Sequence, residues 1–314
     1  MQCSKVEFEK SSKWIKRNAR PLEAARWAYH FEGGSKEFVV QNLSAFQNED
    51  GGFGNGIEPD FWLPLSSPMA TWAAGQILLE INVDANEPIV QSIVKFLMTT
   101  FNPVTGMWAS VLPEYNDYPH APWWNWQEDV QNNWMFNPSA ALAGYLVHWS
   151  SENSAGAQIG WASIEKAIAY LMSKDEMDKH EIQNFQQLIR IVEPFEDKFN
   201  ATNQFTYEEV CHKVHQLAEQ CMEKDETQWS TGYKPLPLDF IDSPNYPLYK
   251  NLVSLVDRNL QYYIKQMKDE GYWDITWGWG SYPEESPIAR RQWQGILTIN
   301  HYKLLKNFGL LEID

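Results

Sequence analysis

The sequence predicts an all-α protein, an α/α toroid of about six helical hairpins with an inner and an outer ring, spanning residues 1–314 as one domain. Three observations predict it. An aromatic residue closes a helix-ending turn four times, and Ser-Pro or Asn-Pro follows later. Small residues crowd the stretch after the proline. Apolar residues recur at helical spacing before each turn.

The turn copies are Gly51-Gly52-Phe53 with Ser67-Pro68, Gly106-Met107-Trp108 with Asn137-Pro138, Gln228-Trp229 with Ser243-Pro244, and Gly271-Tyr272-Trp273 with Ser286-Pro287. From aromatic to proline the steps are 15, 30, 15 and 14 residues, so the second copy carries an insertion. Glycine supplies the left-handed conformation that ends a helix. Ser or Asn then suits the N-cap, and Pro the first helical position. Ala70, Ala140 and Ala289 stand two residues after their prolines, and Ala73, Ala74, Gly75, Ala141, Ala143 and Gly144 extend the pattern. Such residues let helices approach closely, so helices starting at Pro68, Pro138 and Pro287 are expected on the inner layer.

The outer partners are expected around Phe38, Leu43 and Phe46, then Ile89, Ile93, Phe96 and Leu97, then Tyr262, Tyr263 and Met267. A degenerate copy is expected at 161–193, with helices near 164–172 and 182–191. Residues 4–31 add two helices, Pro21 starting the second. The total is about twelve helices, and an open solenoid is the competing geometry.

A formal net charge of −16 without a basic stripe repels phosphate backbones, so no nucleic-acid partner is expected. Hydrophobic residues reach 44%, enough for one large core. Of three cysteines, Cys211 and Cys221 lie ten residues apart on one expected helix, about 15 Å along its axis and too far for a bridge. The segment Met1-Gln2-Cys3-Ser4-Lys5-Val6-Glu7 lacks a secretory apolar stretch, and no run is long enough for an integral membrane segment. A cytoplasmic location is expected.

Gln47-Asn48-Glu49-Asp50-Gly51-Gly52-Phe53 resembles the Gln-x-x-Asp-Gly-x-Trp repeat of the squalene–hopene cyclase and protein prenyltransferase superfamily, with Phe53 where Trp is usual. The run from Asp50 to Asp60 with Ser67-Pro68 resembles a group of uncharacterised bacterial prenyltransferase-like proteins. So do Leu112-Pro113-Glu114 and Pro119-His120-Ala121-Pro122-Trp123-Trp124. The resemblance implies a toroid with a central cavity, and it implies that Gln47 and Asp50 tie helix ends together. It does not bring an activity. The Asp-x-Asp-Asp acid motif, the Asp-Asp-x-x-Asp/Glu magnesium motif and the Asp-x-Cys zinc pair are all missing from the sequence. No cofactor is expected.

The chemistry-bearing residues fall in three loops. The insertion 109–136 carries Glu114, Asp117, His120, Trp123, Trp124 and Trp126. Carboxylates beside His supply acid–base capacity, and Trp faces stabilise cations or stack on sugars. Glu58 and Asp60 follow the first turn; Asp274, Trp277, Trp279, Glu284 and Glu285 follow the last. Equivalent loops of a toroid gather at one end, so Glu58, Asp60, Glu114, His120, Asp274 and Glu284 are the catalytic candidates. Asp117, Trp123, Trp124, Trp126, Trp277, Trp279, Arg290 and Arg291 are the substrate-binding ones. The plainer alternative is a solvated acidic rim under an aromatic lid.

Arg290 and Arg291 stand in the first turns of a helix, where the macrodipole disfavours cations. They pair with a loop acid or frame an anion. Cys211, His215 and Glu219 share a helical face, but the outer two are about 12 Å apart along it, so an amphipathic helix and no metal is expected. The glycine run at 51–56 lacks the Lys-Ser/Thr of a phosphate loop.

By resemblance, the chain binds or transforms an isoprenoid-like or other small apolar molecule in an acidic, Trp-lined cavity. The alternative is a carbohydrate-active protein of glycoside hydrolase or polysaccharide lyase type, since paired carboxylates and Trp faces serve sugars too. A further alternative is a non-catalytic scaffold whose acidic, Trp-rich rim binds a protein.

Overall fold

The structure, a computed structural model, describes residues 2–312. Twelve α-helices form among the described residues, with no strand beyond isolated bridges, so the protein is all-α as the repeat requires. The chain divides into two compact units, one of Met1–Ala45 with Met222–Asp314 and one of Phe46–Cys221.

In the contiguous unit the helices are α4 (Pro68–Glu80), α5 (Pro88–Thr100), α6 (Ser139–Trp149), α7 (Ala155–Met172), α8 (Lys179–Val192), α9 (Glu196–Thr202) and α10 (Tyr207–Cys221). α6 is its centre. Ten of its eleven residues are buried, and it packs on α7, α8, α5 and α4. The small residues permit this. A Cβ on Gly160 of α7 would stand 2.9 Å from the Ala143 carbonyl of α6, and one on Gly75 of α4 would meet the Tyr145 ring at 2.2 Å. The degenerate copy is present as α7 and α8, near the expected positions and without a glycine turn.

The other unit holds α1 (Lys5–Asn18), α2 (Pro21–Phe31), α3 (Lys36–Leu43), α11 (Tyr249–Gln266) and α12 (Ser286–Asn307). α12 packs on α1 and α2, and α2 on α3. Phe8, Trp27, Phe31 and Tyr302 interlock with ring centroids 4.7–6.0 Å apart. Residues from the two ends of the sequence meet here. The Cys3 amide donates to the Leu310 carbonyl at 2.9 Å, and the Glu312 amide to the Cys3 carbonyl at 3.0 Å.

One device recurs at three of the four turns. Gly51, Gly106 and Gly271 have φ of 90°, 78° and 92°. Two residues on, the amides of Phe53, Trp108 and Trp273 donate to the hydroxyls of Thr71, Ser139 and Thr298 on the following helix. The indoles of Trp108 and Trp273 reach back to carbonyls of Leu97 and Tyr263 near the end of the preceding helix. Each turn is thereby tied to the helix after it, and at the two tryptophans to the helix before it as well. At Gly51 a Cβ would also stand 2.4 Å from the Ser92 carbonyl of α5, and at Gly271 2.7 Å from the Ser11 amide of α1. Gln47 donates to the Gly51 and Ile89 carbonyls, and Asp50 accepts from the Gly52 amide and the Ser66 hydroxyl. In the weaker copy Trp229 lacks the glycine, and its indole donates to the Glu223 carbonyl.

The N-cap expectation is met once. Ser67 accepts from the Ala70 amide at 3.1 Å. Asn137 does not cap α6, because its side-chain oxygen accepts from Asn184 and its carbonyl from Ser110. Ser286 is already the first residue of α12, its amide donating to the Tyr282 carbonyl of the preceding turn. Ser243-Pro244 opens no helix; α11 begins at Tyr249. Among the described residues no helix is long and apolar enough to cross a membrane.

Candidate functional site

Within the contiguous unit, the loop after the first turn and the insertion form a short antiparallel contact. Phe61 bridges His120, the Ala121 amide donates to the Asp60 carbonyl at 2.8 Å, and the Trp62 amide to the Pro119 carbonyl at 2.9 Å. This pairing buries Glu58, Asp60 and His120 at 7%, 4% and 7% exposure. Glu58 accepts from the Asp60 amide at 2.8 Å. His120 Nδ1 lies 2.7 Å from the Tyr118 carbonyl, which can only accept, so Nδ1 carries a proton.

Tyr115 donates to Ser67 Oγ at 2.9 Å. Burial drives its phenol far above the ordinary range, and the Glu58 charge adds to this against the Ser67 hydrogen bond. Phe61 stacks on Tyr115 at 4.6 Å and meets Trp124 edge-on at 4.9 Å, while Trp124 stacks on Trp134 at 4.5 Å. Trp124 is thus a buried support of the cluster. The structure buries Glu58, Asp60 and His120 in two paired loops and leaves Glu114 and Asp117 exposed. Trp123 and Trp126, at 40% and 36% exposure, lie on the outside of the insertion.

Within the other unit, Asp274 accepts from Arg290 Nε at 2.8 Å and from Arg290 Nη2, from Gln294 at 3.0 Å and from the Ile275 amide at 2.9 Å. Burial works to raise its carboxyl, but Arg290 and Gln294 outweigh this and hold it below the usual range. The arginine in the first turns of α12 is explained by this forked pair. Arg291 lies over the Trp14 ring at 5.5 Å and donates to Asn18. Glu284 is exposed. Trp277 meets Trp293 and Tyr233 edge-on at 5.4 and 5.3 Å, and Trp279 is buried against Tyr282.

The residues that sequence reasoning missed lie on α12. His301 meets Tyr263 at 4.2 Å and Trp273 at 5.0 Å. Burial lowers its pKa to about 3, the Leu297 carbonyl one turn back opposing, so the ring is neutral. Burial also raises the Tyr263 phenol far above its usual range, and the charge of Asp239 adds to this. Both rings nonetheless keep part of their surface open. Gln292 Oε1, Trp293 Nε1 and Gln294 Oε1 on the same helix are sealed and have no hydrogen-bond partner. Unpaired polar groups are expensive when buried. The available signal was the four-residue spacing of Trp293, Leu297 and His301 along one helical face.

Among the described residues no group of three His, Cys, Asp or Glu is placed to hold a metal ion. Cys211 lies on α10, where burial raises its thiol. No known family model matches the chain, and no curated protein matches it.

Proposed function

We propose that the chain binds a small, uncharged, largely apolar molecule of isoprenoid-like character on the aromatic face of α12. The observation that carries this reading is neutral His301 against Tyr263 and Trp273, with the Trp277–Trp293 pair two turns back along α12. Aromatic rings supply apolar contact, which favours an apolar ligand. A charged ligand is disfavoured, because Asp274 and Arg290 already neutralise each other. The resemblance to terpenoid cyclases and prenyltransferases supports the same substrate class.

Native mass spectrometry of the full chain with farnesol, farnesyl diphosphate and cellotriose tests it. Farnesol is expected to be retained one-to-one, and His301→Phe or Trp293→Leu should weaken it about tenfold, or ~1.4 kcal/mol. Failure to retain farnesol overturns the reading.

A second reading, a carbohydrate-active protein, is favoured by the exposed Trp123 and Trp126 on the insertion that helps bury Glu58, Asp60 and His120. Retention of cellotriose, lost in Asp60→Asn, would establish it in place of the first.

A further inference from the structure

The insertion turns two indoles outward while fixing the backbone that carries them. Trp123 and Trp126 are exposed, and between them Trp124 is buried and stacked on Trp134. Trp124 belongs to a single 3-10 turn, Pro122–Trp124, so the burial of its ring anchors Trp123 beside it. Two residues after Trp124, the Trp126 amide donates to Asn116 Oδ1 at 2.8 Å, and Asn116 Nδ2 donates to the Trp126 carbonyl at 2.9 Å. Asn116 lies in a second 3-10 segment, Pro113–Asp117, whose Tyr115 is buried and bonded to Ser67. The two indoles thus meet water from a braced loop. Exposed aromatic rings on a preorganised backbone lose little freedom when a partner covers them, and such rings serve as interface anchors.

The charge around the rings has one sign. The insertion holds four carboxylates, Glu114, Asp117, Glu128 and Asp129, all of them exposed. None of the four carboxylates has an ion-pair or hydrogen-bond partner among the described residues. Between Lys95 and Lys166 the sequence contains neither Lys nor Arg, so nothing within the insertion neutralises them. The Asn116–Trp126 pairing sets the segment of Asp117 alongside Trp126, and Glu128 and Asp129 follow Trp126 closely in the chain.

This combination selects the partner. An acidic peptide, a nucleic acid or an anionic lipid meets repulsion here. A neutral sugar stacks on the rings but leaves the four charges without a counterpart. An arginine-bearing peptide uses both features, because a guanidinium lies flat on an indole and also forks to a carboxylate.

We propose that the insertion docks a basic, arginine-containing peptide segment of a partner protein, its arginines stacked on Trp123 and Trp126 and paired with Asp117, Glu128 and Asp129. This surface does not depend on what the α12 face binds, and it competes with the sugar reading for the same two indoles.

Fluorescence anisotropy of the full chain with labelled octapeptides of glycine alternating with arginine, lysine or glutamate tests this. The arginine peptide is expected to bind saturably, about threefold more tightly than the lysine peptide, and the glutamate peptide not at all. Trp123→Ala with Trp126→Ala keeps every charge and should weaken the arginine peptide about tenfold. Glu128→Gln with Asp129→Asn should weaken it about fivefold. Asp269→Asn with Glu270→Gln removes as much exposed charge from the other unit and should leave the affinity within about twofold. All these side chains are exposed, so the variants are expected to fold, and circular dichroism checks that they do. Should the tryptophan variant unfold, the comparison of the two acid pairs decides. No binding of the arginine peptide, unchanged affinity in the folded tryptophan variant, equal weakening by the two acid pairs, or displacement of the peptide by cellotriose would each overturn the proposal.

Discussion

Replacing Glu181 with Gln should flatten the dependence of stability on pH between about 4.5 and 7. Glu181 is buried in the first turn of α8, accepting from the Phe136 amide at 3.1 Å and from the Tyr170 hydroxyl at 3.3 Å. Burial nevertheless pushes its carboxyl up to about 7, with the nearby Asp178 charge adding and the two hydrogen bonds and Lys174 opposing. A carboxyl raised in the folded state keeps a proton there that the unfolded chain releases from about pH 4.5 upward. The stability it contributes is full below that pH and is lost as pH rises through 7. At 1.36 kcal/mol for each tenfold change in proton affinity, the swing is on the order of 3 kcal/mol. Glutamine carries no charge to desolvate and can still accept from Phe136. The variant should therefore exceed the wild type by about 2 kcal/mol at pH 8, and by little at pH 4.5. Urea unfolding of both proteins at pH 5, 6, 7 and 8 reads this directly. Parallel stability curves for the two across that range would refute the reasoning.

Ser67→Ala should cost about 2–3 kcal/mol in thermal melts, since it removes the α4 cap and leaves the buried Tyr115 hydroxyl without its acceptor. Ser286→Ala should change little, because Ser286 caps no helix. Gly271→Ala should lower the melting temperature markedly, with a φ of +92° and the Ser11 amide 2.7 Å from the new Cβ; Gly278→Ala, with open space around it, should not. Asp274→Asn should cost roughly 1 kcal/mol at neutral pH, Arg290 being largely exposed. Because Asp274 is held below its usual range, the wild type's advantage should vanish as pH falls below about 4, seen in acid denaturation of the two proteins.

The turns at Gly51, Gly106 and Gly271 were legible because a backbone at positive φ almost demands glycine, a rule that operates within a few residues. The helices they separate were legible from spacing for the same local reason. The caps at Asn137 and Ser286 were not, because a cap competes with other partners. Asn184 lies 47 residues from Asn137, and only the fold reveals that it takes the side-chain oxygen. Glu58, Asp60 and His120 were legible as chemistry-bearing residues, and the bridge between Phe61 and His120 pairs the backbones of their loops. Glu114 shares the insertion, yet a residue near Tyr115 can point inward or outward, and no pattern in a loop without regular structure distinguishes the two. His301 went unnoticed because a His at four-residue spacing from Leu297 and Trp293 reads as ordinary helix core.

The pairing of Cys3 with Leu310 and Glu312, and of α1 with α12, has a consequence for synthesis on the ribosome. α1 and α2 emerge with Trp14, Ile15, Leu22 and Trp27 on their core faces, but the helix that covers them begins at Ser286. At about 5–20 residues per second, the wait is on the order of ten seconds or more. The contiguous unit has all its helices within Phe46–Cys221 and can collapse during that interval. The nascent chain therefore carries an unfinished, aromatic-rich leading segment while its middle is already folded. That segment is where a holding chaperone would act, and where truncation before α12 should produce aggregation.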